Sequence, residues 1–229
     1  MTLLDRLRGG LIVSVQARTG CALDDPRVLA AMAQAAQENG AAGVRIQGVR
    51  NLQAVRKRVG IPIVGIIKRE YDGFEPYITP TVREVREVLE CGAEIVAFDA
   101  TGRARPQGRE IGELVAAIHG GGALAMADCA LAGDGVCAQA AGADILATTL
   151  CGYTKETRGT ELPALDLVRA FAQLGCFVIC EGGIHAPAAG AAALDAGADA
   201  VVVGTAITNT EWLVREYAAA LGQPKSSPA

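Results

Sequence analysis

Aromatic side chains are scarce: four Tyr, four Phe and one Trp in 229 residues. The core must therefore be built from Ala, Val, Ile and Leu, in a chain that is 51% apolar. Histidine is scarcer still, at two. The seven cysteines are odd in number, scattered, and form no Cys-x-x-Cys pair. That excludes a disulfide framework and makes a zinc site a poor expectation. No cationic excess exists: Lys plus Arg is 21, Asp plus Glu is 25, and the net charge is -4. A nucleic-acid reader wants a basic footprint, so nucleic acid is excluded as a partner. No apolar run approaches the roughly 18 residues that a membrane span requires. The opening Met1-Thr2-Leu3-Leu4-Asp5-Arg6 carries an acid and lacks a secretory pattern. With the unpaired cysteines, this leads us to expect a reduced, cytoplasmic protein.

What is present is glycine, 28 of them, and a repeat. Four segments look alike: Gly40-Ala41-Ala42-Gly43-Val44-Arg45-Ile46, Gly92-Ala93-Glu94-Ile95-Val96-Ala97-Phe98, Gly142-Ala143-Asp144-Ile145-Leu146-Ala147-Thr148 and Gly197-Ala198-Asp199-Ala200-Val201-Val202-Val203. Their spacings are 52, 50 and 55 residues. Each Gly-Ala closes a helical pattern, as glycine in the left-handed conformation does. Each then enters a continuously apolar run, as a strand buried on both faces requires. Four further runs lie between them, at 11–15, 62–67, 123–127 and 177–180. Helical patterns separate the eight runs, at 26–39, 49–58, 80–91, 109–119, 133–141, 163–174, 187–196 and 209–221. Eightfold βα alternation in this length implies an α/β fold with a parallel sheet closed into a single (β/α)8 TIM barrel, spanning residues 1–221. A doubly wound open sheet is the alternative. A dinucleotide-binding version would need Gly-x-Gly-x-x-Gly after the first strand, where Gln16-Ala17-Arg18-Thr19-Gly20 stands instead. Residues 222–229 read as a disordered tail.

Such barrels carry their chemistry at the C-terminal ends of the strands. Those ends hold Gln16, Arg45 with Gln47, Lys68, Asp99, Asp128, Thr148 with Thr149, Glu181 and Gly204. Solvated strand ends explain any one of these, but all of them converge on one mouth. Lys68 follows five apolar residues, and a low-dielectric wall lowers a lysine toward use as a base or Schiff-base amine. An ion pair with Asp99 or Asp128 is the structural alternative. Glu181 could exchange a proton with a substrate oxygen, or bridge to Arg45 or Lys68. Gly182-Gly183 and Gly204-Thr205 follow the last two strands, where backbone amides can form an anion nest or merely a tight turn. His185, His119, Cys151, Cys180 and Trp212 are expected to do no chemistry.

Val13-Ser14-Val15-Gln16-Ala17, Gly43-Val44-Arg45-Ile46-Gln47-Gly48, Ile63 through Tyr71, Tyr77-Ile78-Thr79-Pro80-Thr81, Asp99-Ala100-Thr101, Met126-Ala127-Asp128, Thr148 through Thr154 and Glu181-Gly182 together resemble the N-acetylmannosamine-6-phosphate 2-epimerases. These motifs run in order from about residue 10 to residue 217. The resemblance implies a ribulose-phosphate-binding TIM barrel that converts N-acetylmannosamine 6-phosphate to N-acetylglucosamine 6-phosphate in sialic-acid and amino-sugar catabolism. It implies no metal and no organic cofactor, and a homodimer. It assigns proton transfer at C2 to Lys68, and ring opening or the second proton to Glu181. Gln16, Arg45 and Asp128 would hold the sugar and its N-acetyl group. Gly182, Gly183, Gly204 and Thr205 would take the phosphate through their backbone amides. Three places depart from the family pattern: Gly183 where a basic residue is common, the pair Asn209-Thr210 where Arg-Pro is usual, and Cys151 for serine. A shifted phosphosugar or an unphosphorylated amino sugar therefore stays open as substrate. An aldolase-type barrel using Lys68 as a Schiff base, or an idle sugar-phosphate sensor, is the competing reading.

Overall fold

The computed structural model describes residues 1–108 and 110–222. The expected disordered tail lies, apart from Gly222, outside the described residues. Helix α1 (Leu3–Leu7) leads into β1 (Leu11–Val15). There follow α2 (Pro26–Glu38), β2 (Gly43–Gln47), α3 (Val49–Arg56), β3 (Ile63–Ile66), α4 (Val82–Leu89), β4 (Ile95–Asp99), α5 (Ile111–Gly120), β5 (Leu124–Asp128), α6 (Ala132–Ala140), β6 (Ile145–Ala147), α7 (Leu165–Ala172), β7 (Phe177–Glu181), α8 (Pro187–Asp195), β8 (Ala200–Val203), α9 (Thr205–Thr208) and α10 (Thr210–Ala220). The eight strands pair in chain order, all parallel, and β8 closes on β1. The barrel is thus the closed one and not the open sheet.

The repeats obey their local chemistry. Gly40, Gly92, Gly142 and Gly197 all have positive φ, between 74° and 107°. The acid that follows Gly-Ala in three of the repeats has a purpose the periodicity does not reveal. Glu94 accepts the amide of Ile63 at 3.0 Å, Asp144 that of Ala125 at 2.7 Å, and Asp199 that of Val178 at 2.8 Å. Each carboxylate caps the start of the preceding strand. A basic side chain joins each one: Arg56 on Glu94 and His119 on Asp144, both at 2.8 Å, and Arg8 on Asp199. His119 is accounted for on that face.

Side chains alternate between two apolar layers. Val13, Val44, Ile46, Val96, Leu146 and Val178 face the helices. Ile12, Val64, Ile66, Ala97, Met126, Ile179 and Val202 fill the barrel, which Leu7 of α1 plugs from below. This period of two governs what reaches the top, because residues two positions beyond the interior layer also point inward.

After β3 the chain departs from the expected pattern. Lys68 does not end the strand; it pairs antiparallel with Ile78 across a returning loop. The Arg69 amide donates to the Tyr77 carbonyl at 2.9 Å, and the Thr79 amide to the Ile67 carbonyl at 2.7 Å. Thr79 adopts a positive φ of 44° to make that return, and its hydroxyl accepts the Ile67 amide at 3.2 Å. Thr81 then caps α4 in a reciprocal box with Glu84.

Candidate active site

The inward parity of the strand ends brings the expected residues to one place. A cavity of about 370 Å³ at the C-terminal mouth is lined by Gln16, Arg45, Lys68, Glu181, Gly182, Gly183, Gly204 and Thr205. Thr149 lines it as well, whereas Gln47, Asp99, Asp128 and Thr148 do not; Asp128 has no solvent exposure and lies behind Arg45.

Arg45 is the hub. It is 1% exposed, and its two terminal nitrogens donate to Asp128 at 3.0 and 2.6 Å. One of them also donates to Glu181 Oε2 at 2.8 Å. The salt-bridge alternative for Glu181 is therefore realised, with Arg45. Thr149 adds its hydroxyl, 2.6 Å from Asp128 Oδ1 and 3.2 Å from Glu181 Oε2. A hydroxyl has one proton to donate. The shorter bond takes it, which leaves Glu181 less satisfied than Asp128.

The consequence is a raised carboxyl. Burial pushes Glu181 up to about 7, with the Asp128 charge adding to the shift and Arg45 opposing it. The backbone of Glu181 is clamped by Thr148, whose hydroxyl accepts its amide at 3.0 Å and donates to its carbonyl at 2.9 Å. Lys68 moves the other way. Its side chain is reached by solvent through the open mouth, yet the surrounding walls displace enough water to lower its pKa, with the Arg45 charge second. Among the described residues it makes no hydrogen bond and no salt bridge, so neither Asp99 nor Asp128 claims it. Asp99 is instead held by Thr101, Arg103 and Arg105. A lysine and a carboxyl with pKa values displaced toward one another are what paired proton transfer needs.

The far end of the cavity is made of backbone. The amides of Gly182, Gly183, Gly204 and Thr205 donate to no other described residue. Gly183 has a φ of 70°, and a Cβ there would lie 2.2 Å from that of Leu162. At Gly204 a Cβ would come 3.2 Å from that of Ser14. Glycine is thus enforced at Gly183 by packing and by its positive φ, whereas at Gly204, with a φ of -114°, a side chain would only crowd Ser14.

Gln16 donates to Ser14 Oγ at 2.8 Å, while its buried Oε1 has no partner. Ser14, Arg18 and Tyr77 also line the cavity, and no role was expected of them. Ser14 could have been found by its parity with Gln16. Tyr77 could not, since it arrives on the non-periodic return after Lys68. Among the described residues no group of three or more His, Cys, Asp and Glu side chains is placed to hold a metal ion. His185 stacks on Trp212, ring centroids 5.1 Å apart.

Comparison with known proteins agrees with this geometry. Residues 29–223 match the family model described as "Putative N-acetylmannosamine-6-phosphate epimerase". A relative from Edwardsiella ictaluri (strain 93-146), bearing the corresponding 2-epimerase name, is 48% identical over 93% of this chain and 89% of its own. One from Yersinia pestis (strain Pestoides F) is 45% identical over 95% and 92%. The solved N-acetylmannosamine-6-phosphate 2-epimerase from Clostridium perfringens superposes with a TM-score of 0.93 at 40% identity, covering 96% of both chains. A thiamine phosphate pyrophosphorylase from Pyrococcus furiosus, at 16% identity and a TM-score of 0.62, covers 92% of this chain and 91% of its own and shares the fold alone. The chain belongs to the N-acetylmannosamine-6-phosphate epimerase family.

Proposed function

We propose that this protein epimerises C2 of N-acetylmannosamine 6-phosphate, giving N-acetylglucosamine 6-phosphate, as a cytoplasmic enzyme of amino-sugar and sialic-acid catabolism. The observation that carries the reading is the pair Lys68 and Glu181 in one cavity, with pKa values displaced toward one another. The C2 proton is acidified once the sugar ring opens to an aldehyde. One group of the pair removes that proton and the electrons move onto the carbonyl oxygen. A proton returned to the opposite face of C2 completes the inversion. Lys68 serves C2. Glu181 handles the ring oxygen or the second proton, and in its protonated state it can donate where a carboxylate cannot.

Arg45 and Gln16 orient the sugar and its N-acetyl group. Asp128 acts through Arg45, whose fork it fixes. The phosphate sits on the amides of Gly182, Gly183, Gly204 and Thr205, which have no partner elsewhere in the described fold. Glycine lets the chain approach a phosphate closely.

The enzyme works as a homodimer on a small anionic sugar, without nucleic acid. Helix α10 buries none of its own residues, and Val214, Tyr217 and Leu221 are 60, 72 and 77% exposed along one side. An apolar stripe of that kind is what a second copy covers. Light scattering on the full chain tests it, and a monomer at micromolar concentration would contradict it. No helix among the described residues is long and apolar enough to cross a membrane.

The chemistry is tested by proton NMR of N-acetylmannosamine 6-phosphate with the protein in D₂O, with unphosphorylated N-acetylmannosamine alongside. Loss of the C2 proton signal and growth of the gluco epimer is the expected result. No exchange with either sugar would refute the reading.

A further inference from the structure

We propose that Arg18 is the cation that engages the anionic group of the substrate, moving onto it from a loose pairing with Glu211. The inference rests on the reading above that the substrate carries a phosphate.

Among the described residues, three lysine and arginine side chains line the cavity: Arg18, Arg45 and Lys68. Arg45 has spent both ends of its fork on Asp128 and Glu181. Lys68 stands on the returning loop after β3 with the proton-transfer pair. Only Arg18 is uncommitted to the reacting end. It arrives from the loop between β1 and α2 and reaches the side of the cavity where α10 begins, because its Nε lies 3.8 Å from Glu211 in the first turn of that helix.

That pairing is beyond hydrogen-bond range, and the two side chains are 58 and 34% exposed. Ion pairs so placed hold weakly. The backbone beneath is not loose. The Arg18 carbonyl accepts the Cys21 amide at 3.1 Å, and the Gly20 amide donates to Asp24 at 2.8 Å. The loop thus delivers a free guanidinium from a fixed base. A planar fork of donors fits two phosphate oxygens better than one carboxylate 3.8 Å away.

Among the described residues that line the cavity, no further lysine or arginine is present to take this part. Gly183 has none and cannot carry one without displacing Leu162. Asn209 uses its Oδ1 to cap α10, accepting the Trp212 amide at 2.9 Å. His185 is stacked on Trp212. Four unspent amides supply direction to an anion but no net charge, and Arg18 supplies the charge. Glu211 is then a competitor: it occupies Arg18 in the free enzyme and repels an incoming phosphate.

The test compares Arg18→Gln, Arg18→Lys and Glu211→Gln with the parent enzyme, on N-acetylmannosamine 6-phosphate and on N-acetylmannosamine. Arg18→Gln should raise KM for the phosphosugar about ten- to a hundred-fold with a small change in kcat. The preference in kcat/KM for the phosphosugar over the free sugar should fall by the same factor. Arg18→Lys should recover part of it. Glu211→Gln should lower KM severalfold, and should do nothing once Arg18 is Gln. An unchanged preference in Arg18→Gln overturns the proposal, as does an equal loss on both sugars. Should the parent enzyme turn over neither sugar, the functional reading fails and Arg18 is still tested by calorimetric titration with inorganic phosphate. Tenfold weaker phosphate binding in Arg18→Gln supports the role; equal affinity, or no binding by the parent, overturns it. Arg18 is solvent-exposed, so a thermal melt will separate these effects from misfolding.

Discussion

Arg45 on β2 and Asp128 on β5 meet across the barrel interior through two hydrogen bonds, 3.0 and 2.6 Å long, with almost no solvent at either side chain. The strands that carry them are not neighbours in the sheet. The pair is therefore a strut across the mouth as well as the floor of the cavity. Glu181 joins it from β7 by a single bond.

Replacing Arg45 by Met should destabilise the fold by about 3–5 kcal/mol, because two buried carboxylates lose their counter-charge. Urea unfolding followed by circular dichroism measures this. A loss under about 1 kcal/mol would mean that Asp128 and Glu181 are neutralised some other way.

Glu181→Gln should stabilise the protein at pH 8. The folded carboxyl is raised to about 7 from its ordinary value of 4.5, so the fold binds that proton more tightly than the unfolded chain. Stability then falls as pH rises from about 4.5 through 7, and the full cost, at most about 3 kcal/mol, persists above that. The glutamine removes this cost while still accepting from Arg45. Melts at pH 4 and pH 8 should show no gain at the first and a gain at the second. A gain of equal size at both would show that protonation is not its source.

Lys68→Met should lower kcat by at least about a thousandfold. The amine has no hydrogen bond or salt bridge to any described residue, so the melting temperature should stay within a few degrees. Borohydride added during turnover should leave no adduct on Lys68; a trapped adduct would favour the Schiff-base alternative over epimerisation.

The pH profile of kcat/KM should be a bell. It should rise through about 7 as Glu181 loses its proton and fall where Lys68 does, at a pH below the ordinary lysine value of 10.5. These limbs belong to the coupled pair, because one proton shared between two groups gives the same profile whichever holds it. The residual activity of Glu181→Gln should lack the lower limb. A limb that survives there belongs to the substrate phosphate, which titrates near about 6.

Gly183→Ala should weaken binding of N-acetylmannosamine 6-phosphate more than it lowers kcat. Its Cβ would sit 2.2 Å from that of Leu162 at a φ of 70°, so the loop after β7 must shift. Steady-state kinetics with the phosphosugar would detect this as a raised KM. Parent-like constants would place the phosphate away from that loop.

The barrel was legible because eight apolar runs and four Gly-Ala boundaries each obey one local rule. The site was legible because the same period of two that buries Ile66, Met126 and Ile179 continues to Lys68, Asp128 and Glu181. What parity cannot convey is depth. It places Asp128 at the mouth together with Arg45, yet the longer side chain covers the shorter one and takes the cavity wall. Nor does periodicity reveal why Glu94, Asp144 and Asp199 recur, since their partners are amides of other strands. Tyr77 and Arg18 were missed for a related reason. Both lie on loops whose course depends on tertiary hydrogen bonds, not on a repeating pattern.

Lys68 shares its backbone with the antiparallel return of residues 77–79. The flanking amides of Ile67, Arg69 and Thr79 are all bonded there, which should make them slow to exchange with solvent deuterium. The disorder of this segment has been removed during folding, before any sugar arrives. Substrate has only four methylenes and an amine left to arrest, so little of its affinity is consumed in ordering the base.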